Sequence, residues 1–220
     1  MAISKPAPRD HIAAAPLDAS LRELARAGEV RRYAKGALLI EEGDVGDTIY
    51  IILSGQLRAF SINEANEREI TYGVYGPGEY IGEMGLDGEP RSASVMALQA
   101  SVCARVSRAA LEVHIALHPA FAFELIAKVI RRARAATLGL KQIALNDVYG
   151  RLKSLLESLA VAQGDGPRAI TPALTHRDIA QRIGCGREMV SRVMKDLERG
   201  GVVVSEAGRM VLLKALPPRW

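Results

Sequence analysis

Apolar positions divide the chain into regions of different texture. Leu17, Leu21 and Leu24 share one face of a short helix predicted over 17–27, which Gly28 ends. From about Val30 to Val106 the apolar residues come in short β-rich runs at 38–40, 49–53, 56–60, 69–72, 94–96 and 101–106. Turn chemistry separates them: Glu42-Gly-Asp, Ser54-Gly, Gly76-Pro-Gly and Asp87-Gly. Many short strands at this spacing predict a small barrel or jelly roll. Residues 109–145 then carry a single glycine, Gly139, and turn helical. Ile126, Val129, Ala133, Ala136, Leu140 and Ile143 alternate spacings of three and four, the a/d pattern of a coiled-coil seam. One helix lying on its own barrel would also bury such a stripe. Heptad spacing kept up beyond two repeats favours a second copy, and Ala133 and Ala136 would let two backbones approach.

Asn146-Asp147 interrupts the seam, with Asp147 suited to cap a new helix from Val148, and a domain boundary is placed there. Residues 163–168 read as a loop. Thr175 and Asp178 resemble a capping box before a short helix whose inner face is Ile179, Ala180 and Ile183. Gly184-Cys-Gly makes a tight turn. A second helix follows with Met189, Val190, Val193, Met194 and Leu197 inward, ended by Gly200-Gly201. This is helix–turn–helix grammar. Residues 202–213 then read as a two-stranded hairpin around a 206–208 turn, a wing beside the second helix.

Charge sharpens this reading. The net charge is +4, yet residues 151–220 hold 12 Lys/Arg against 7 Asp/Glu, so the whole positive excess lies in the last third. An anionic partner such as double-stranded DNA fits. Arg187, Glu188 and Arg192 open the second helix, where side chains reach base edges in the major groove. Arg grips guanine O6/N7 and Glu accepts from cytosine N4. Lys195 and Arg199 lie further along, suited to phosphates. A solvated face with ordinary surface charges is the plainer alternative, and it does not explain the turn, the buried pattern and the basic surplus together.

Two cysteines, Cys103 and Cys185, exclude by count a disulfide scaffold, a four-cysteine zinc site and a four-cysteine iron–sulfur centre. Their scarcity suits a reducing cytoplasm. No apolar run reaches the roughly 18 residues of a membrane span, and the first sixteen residues lack a signal-peptide core. The histidines, His11, His114, His118 and His176, all fall outside 30–106. That argues against a metal-dependent cupin enzyme and against a haem ligand in the roll, so no metal is expected. His114 and His118, at i,i+4 on a predicted helix, could bind a metal, but a surface pair beside Pro119 is the favoured reading.

A second constellation lies at 76–95. A Gly-Glu step followed by Arg-Ser inside a β-barrel makes an anion cradle. Free N–H groups near Gly82 and Ser92, the Ser92 hydroxyl and the Arg91 guanidinium would converge on one phosphate, with Glu83 accepting from a ribose hydroxyl. An Arg91–Glu83 pair that only staples the loop is the structural alternative.

Both motifs resemble the cyclic-AMP receptor protein/FNR superfamily of bacterial transcription factors. The cassette Gly78-Glu-Tyr-Ile-Gly-Glu-Met-Gly-Leu86 with Arg91-Ser-Ala93, and Ile183-Gly-Cys-Gly-Arg-Glu-Met-Val-Ser-Arg192, match that family's two motifs in order. The resemblance covers about four fifths of the chain. It implies an α+β chain: a cyclic-nucleotide-binding β-roll (17–120), a dimerisation helix (121–145) and a winged helix–turn–helix (147–216). Arg91 and Ser92 would hold the cyclic phosphate, and Gly82 and Ala93 would give backbone contacts, with Met84 in the same loop. Glu83 would bind the ribose 2′-hydroxyl. Arg187, Glu188 and Arg192 would read a TGTGA-like half-site, and Thr175 and Lys195 would meet phosphates. The chain would act as a homodimeric regulator, with RNA polymerase a further partner.

Two departures qualify the match. Ala136-Thr137 stands where the cyclic-AMP receptor carries Thr-Ser against the purine, so Thr137 keeps one hydroxyl of two. One lost hydrogen bond is worth about 0.5–1.5 kcal/mol. That leaves cAMP or cGMP open, and nothing in the sequence excludes a cyclic dinucleotide, while the retained Arg91-Ser92 pair argues against a ligand-independent member. Gly186 replaces a phosphate-touching serine.

Overall fold

The computed structural model describes residues 8–65, 68–162, 166–206 and 209–219. It opens with α1 (Pro8–Ala14) and α2 (Ala19–Arg26). Asp18 caps α2 by accepting from the Leu21 amide at 2.7 Å. The strands are β1 (Glu29–Tyr33), β2 (Leu38–Ile40), β3 (Ile49–Ser54), β4 (Leu57–Asn63), β5 (Arg68–Tyr75), β6 (Tyr80–Ile81), β7 (Ser94–Ala97) and β8 (Ser101–Val106). A 3-10 turn, Glu83–Asp87, links β6 to β7. The strands form two four-stranded sheets, ordered β1-β8-β3-β6 and β2-β7-β4-β5.

Strand β3 explains why the 49–53 run is apolar without interruption. Its successive side chains point to opposite faces, and both faces are covered. Ile49, Ile51 and Leu53 pack with Leu21 and Leu24 of α2, while Tyr50 and Ile52 pack with Leu57, Ala59, Ile81 and Val95. Cys103 on neighbouring β8 is fully buried, and burial pushes its thiol up to about 12. At neutral pH it is an inert thiol filling space.

Beyond the roll come α3 (Arg108–Leu117) and α4 (Ala120–Leu145). The helical stretch expected over 109–145 is thus broken in two. Pro119 disfavours helical backbone at the residue before it, and His118 sits at φ −129°, ψ 72°. His114 also departs from expectation: it is only 5 % exposed, so it is no surface residue.

The carboxy-terminal part comprises α5 (Val148–Leu159), β9 (Ala160–Ala162), β10 (Arg168–Ile170), α6 (His176–Ile183), α7 (Arg187–Arg199), β11 (Val203–Glu206) and β12 (Arg209–Leu212). Asp147 caps α5, accepting from the Gly150 amide at 2.7 Å. The wing is larger than the predicted hairpin: β9 and β10 extend it to a four-stranded sheet, β11-β12-β10-β9. Arg168, expected in a loop, begins β10; 163–165 and 207–208 lie outside the described residues. The core joins Leu152 and Leu156 of α5, Ile179 and Ile183 of α6, Val190, Met194 and Leu197 of α7, and Val203 and Leu212 of the sheet. Met189, expected inward, is 40 % exposed, because the buried stripe of α7 runs through 190, 194 and 197 and leaves 189 off its edge.

The chain divides into two compact units, residues 1–61 with 71–133, and residues 62–70 with 134–220. Among the described residues no helix is long and apolar enough to cross a membrane.

Candidate nucleotide site and nucleic-acid interface

The cassette loop is built around Arg91. This side chain is 7 % exposed and threads between glycines. A Cβ at Gly85 would fall 2.6 Å from its Nη1, and one at Gly46 would fall 3.2 Å from Nη2. Gly82 has φ 99°, the left-handed region that favours glycine. Arg91 Nη1 donates to the Gly82 carbonyl at 2.6 Å, and Nη2 donates to the Thr48 carbonyl at 2.9 Å and to Thr48 Oγ1 at 3.3 Å. Burial pushes the guanidinium's pKa down, against the pull of Tyr50, Asp47 and Glu83. Arg91 therefore staples the cassette through backbone carbonyls. It does not pair with Glu83, which corrects the stapling alternative drawn from the sequence.

Glu83 is paired by a residue the motif does not contain. Arg132 of α4 places Nη1 on Glu83 Oε1 and Nη2 on the Tyr80 carbonyl at 3.0 Å. The Glu83 side chain is wholly buried, and Arg132's is 19 % exposed. The other carboxylate oxygen, Oε2, and Arg132 Nε are both buried with no hydrogen-bond partner among the described residues. The ion pair thus leaves one orphan acceptor and one orphan donor. Leaving such groups unmade costs about 1–3 kcal/mol each, more for charged groups, so a site of this kind calls for a ligand with hydroxyl and acceptor atoms. Arg132 also lies 4.8 Å from the Tyr75 ring centroid, and Lys128, one turn earlier, lies 3.5 Å from that of Tyr80. Burial chiefly, with help from neighbouring Arg132, brings Lys128 down to about 8, while Glu83 and Glu79 pull it up.

The remaining expected residues are less engaged. Ser92 is exposed, its Oγ 3.7 Å from Met84 Sδ, and Met84 is 53 % exposed. Ala93 is half-buried beside them. Thr137 is exposed on α4, five residues beyond Arg132. No local signal marks Arg132, because Lys128, Arg131, Arg132 and Arg134 all lie on α4 and the apolar seam does not say which of them meets Glu83.

The basic surface forms on α7. The capping box is present: Thr175 Oγ1 accepts from the Asp178 amide at 3.1 Å, and the Thr175 amide donates to Asp178 Oδ2 at 2.8 Å. The Thr175 hydroxyl also donates to Asp178 at 2.6 Å, so its proton is committed to the cap. Gly184 ends α6 in the left-handed region, φ 67°. Arg187, Glu188, Arg192 and Lys195 are all exposed, and with Ser191 they line a shallow groove of about 410 Å³. His176 Nδ1 lies 3.0 Å from Ser191 Oγ and joins the two helices. Gly186 caps α7 without a side-chain hydrogen bond, at φ −74°, ψ 146°, backbone that any residue adopts. A Cβ there meets only Glu188 Oε2 at 3.4 Å. Gly186→Ser is therefore expected to stabilise the domain by about 0.5–1 kcal/mol, through a cap and a stiffer unfolded chain. Urea unfolding checks this, and a lower midpoint would contradict it.

Comparison with known proteins agrees with both halves of this description. Residues 30–116 match the cyclic nucleotide-binding domain and residues 150–216 the Crp-like helix-turn-helix domain. Over 188 residues the chain is 30 % identical to the cAMP-activated global transcriptional regulator CRP of Escherichia coli, covering 83 % of this chain and 89 % of that protein. This chain belongs to the CRP/FNR family. It is 34 % identical over 174 residues to the Cyclic AMP receptor protein of Thermus thermophilus, covering 79 % of this chain and 78 % of that one. The c-di-GMP responsive regulator CLP of Xanthomonas campestris shares the fold, with a TM-score of 0.76 at 23 % identity over 89 % of this chain and 98 % of that one. A second structure, the Thermus thermophilus catabolite activator protein, gives a TM-score of 0.53 at 30 % identity over 95 % of this chain and 94 % of that one. The protein is thus a CRP-family DNA-binding transcription regulator with a cyclic nucleotide-binding domain. The family is one of transcription regulators, not of enzymes.

Proposed function

We propose that this CRP/FNR-family regulator binds a cyclic mononucleotide, cAMP first and cGMP as the alternative, in the cassette around Arg91. The observation that carries this reading is the orphan pair, Glu83 Oε2 and Arg132 Nε, buried beside an Arg-Ser cassette. Glu83 Oε2 accepts a hydrogen bond from the ribose 2′-hydroxyl. Arg91 and Ser92 meet the cyclic phosphate, and three acceptors hold Arg91 while two of its five N–H groups remain for the ligand.

The protein acts as a homodimer through α4. Ile126, Val129, Leu140 and Ile143 are 42–68 % exposed on a single chain, and Ala133 and Ala136 are exposed with them. This is the whole heptad seam, and a second copy of the same helix covers it. Nucleotide binding shifts the packing of the paired α4 helices near 145–147 and sets the α7 helices one helical turn of DNA apart. DNA must then tighten nucleotide binding by the same factor.

Calorimetry of the full chain with cAMP, cGMP and cyclic di-GMP, each with and without operator DNA, tests this reading. A mononucleotide that binds at micromolar levels and tighter with operator supports it. Binding by the dinucleotide alone overturns it, and equal affinity with and without operator overturns the coupling.

Lys128 supplies a pH signature. Its pKa stands at about 8 in the free protein, and the negative charge of a nucleotide whose ribose meets Glu83 raises it. The ligand then prefers the protonated form, so affinity is expected to fall as pH rises through 8, with proton uptake on binding. Titrations near pH 8 in buffers of different ionisation heat measure that uptake, and Lys128→Arg removes it. Heats independent of buffer would sink the assignment.

A further inference from the structure

Away from the cassette and the recognition helix, three donor side chains meet where α2 packs on α3. His114 and His118, one helical turn apart on α3, stack with ring centroids 4.7 Å apart. Glu23 reaches over from α2, its Oε2 3.2 Å from His118 Nε2. Ser20, one turn before Glu23, places its hydroxyl 3.0 Å from His114 Nε2. One ligand atom from each of Glu23, His114 and His118 lies within 4.8 Å of the others. We propose that Glu23, His114 and His118 form a binding site for a divalent transition-metal ion of the Zn(II) class, separate from the nucleotide and DNA surfaces.

The chemistry of the donor set selects the ion. Two imidazoles and a carboxylate suit Zn(II) and its neighbours, not Mg(II) or Ca(II), which take oxygen ligands. A tetrahedral site with bonds near 2.0–2.1 Å puts its donors about 3.4 Å apart. The His118–Glu23 edge is already at that length. The rest of the closure falls on side chains free to turn, since Glu23 is exposed and His118 half-exposed. His114 is the fixed anchor: it is 5 % exposed, and its ring meets the edge of Phe121 at 5.1 Å and 83°. The alternative is that the His114–Ser20 and His118–Glu23 contacts only staple α2 to α3, and that arrangement has no use for a metal.

The test uses the full chain, stripped of metal with a chelator, titrated with Zn(II) against a chromogenic competitor. The variants are His118→Gln and Glu23→Gln; both residues are accessible, so the core is left intact, and thermal melting confirms that each folds. The expected result is one Zn(II) per chain with Kd at or below about 10 μM, weakened at least about tenfold in His118→Gln and also in Glu23→Gln. Co(II) should give the intense visible bands of a four-coordinate ion in the parent and lose them in His118→Gln. No saturable binding overturns the proposal in favour of the staple. Zn(II) binding that survives His118→Gln unchanged overturns it too, because the ion then sits elsewhere.

Discussion

Replacing Arg91 by leucine is expected to weaken cyclic-nucleotide binding by about 2–5 kcal/mol, roughly thirty-fold to a few thousand-fold. The size follows from what the residue does. A phosphate in a half-closed loop is held by charge-assisted hydrogen bonds, and removing the guanidinium leaves its charge uncompensated. The same change also removes the donors on the Gly82 and Thr48 carbonyls, so the loop itself loses stability. Two further variants separate these effects. Arg91→Lys keeps the charge and gives up the planar fork, so it should fall between parent and Leu. Ser92→Ala touches nothing in the staple, because among the described residues the Ser92 hydroxyl reaches Met84 Sδ and not Arg91's partners. It should leave the melting temperature unchanged while weakening the nucleotide about two- to tenfold. If Ser92→Ala and Arg91→Lys both bind like the parent, the cassette is structure alone.

How much of this was legible in sequence depends on the range of the interaction. Local patterns read well. The strand at 101–106 and the capping box of Thr175 and Asp178 are each encoded within a few neighbouring residues. The 49–53 run reads as a strand because it is buried on both faces. What failed to read is long-range or marginal. The Glu83–Arg132 pair joins residues 49 apart, and no periodicity announces which cation of α4 will turn inward. Strand β1, Glu-Val-Arg-Arg-Tyr, is a charged edge strand whose place is set by pairing with β8. Strands β6, β9 and β10 have two or three residues each and exist through their neighbours. The burial of His114 depends on α2, ninety residues earlier, coming to lie against it. The motif therefore picked out Arg91 and Glu83, while the cation that α4 sets against Glu83 required the fold.

Arg187→Ala is expected to cost about 1–3 kcal/mol on the cognate half-site and to relax the preference for one guanine. Arg187 is the first residue of α7, exposed and followed by exposed Glu188 and Arg192. A helix entering the major groove leads with these positions, so its side chain meets base edges before phosphates. Lys195 lies more than two turns further along, where the helix leaves the bases and a flexible ammonium serves as a point charge. Lys195→Ala should therefore weaken cognate and random duplex alike and flatten the slope of log affinity against log salt by about one unit. Neither change touches the buried stripe of Val190, Met194 and Leu197, so both variants should melt like the parent. Fluorescence anisotropy on cognate, single-substituted and random duplexes across a salt series measures all of this together. If Arg187→Ala lowers affinity for random DNA as much as for the cognate site, Arg187 contacts the backbone, and base reading must be reassigned to Glu188 and Arg192.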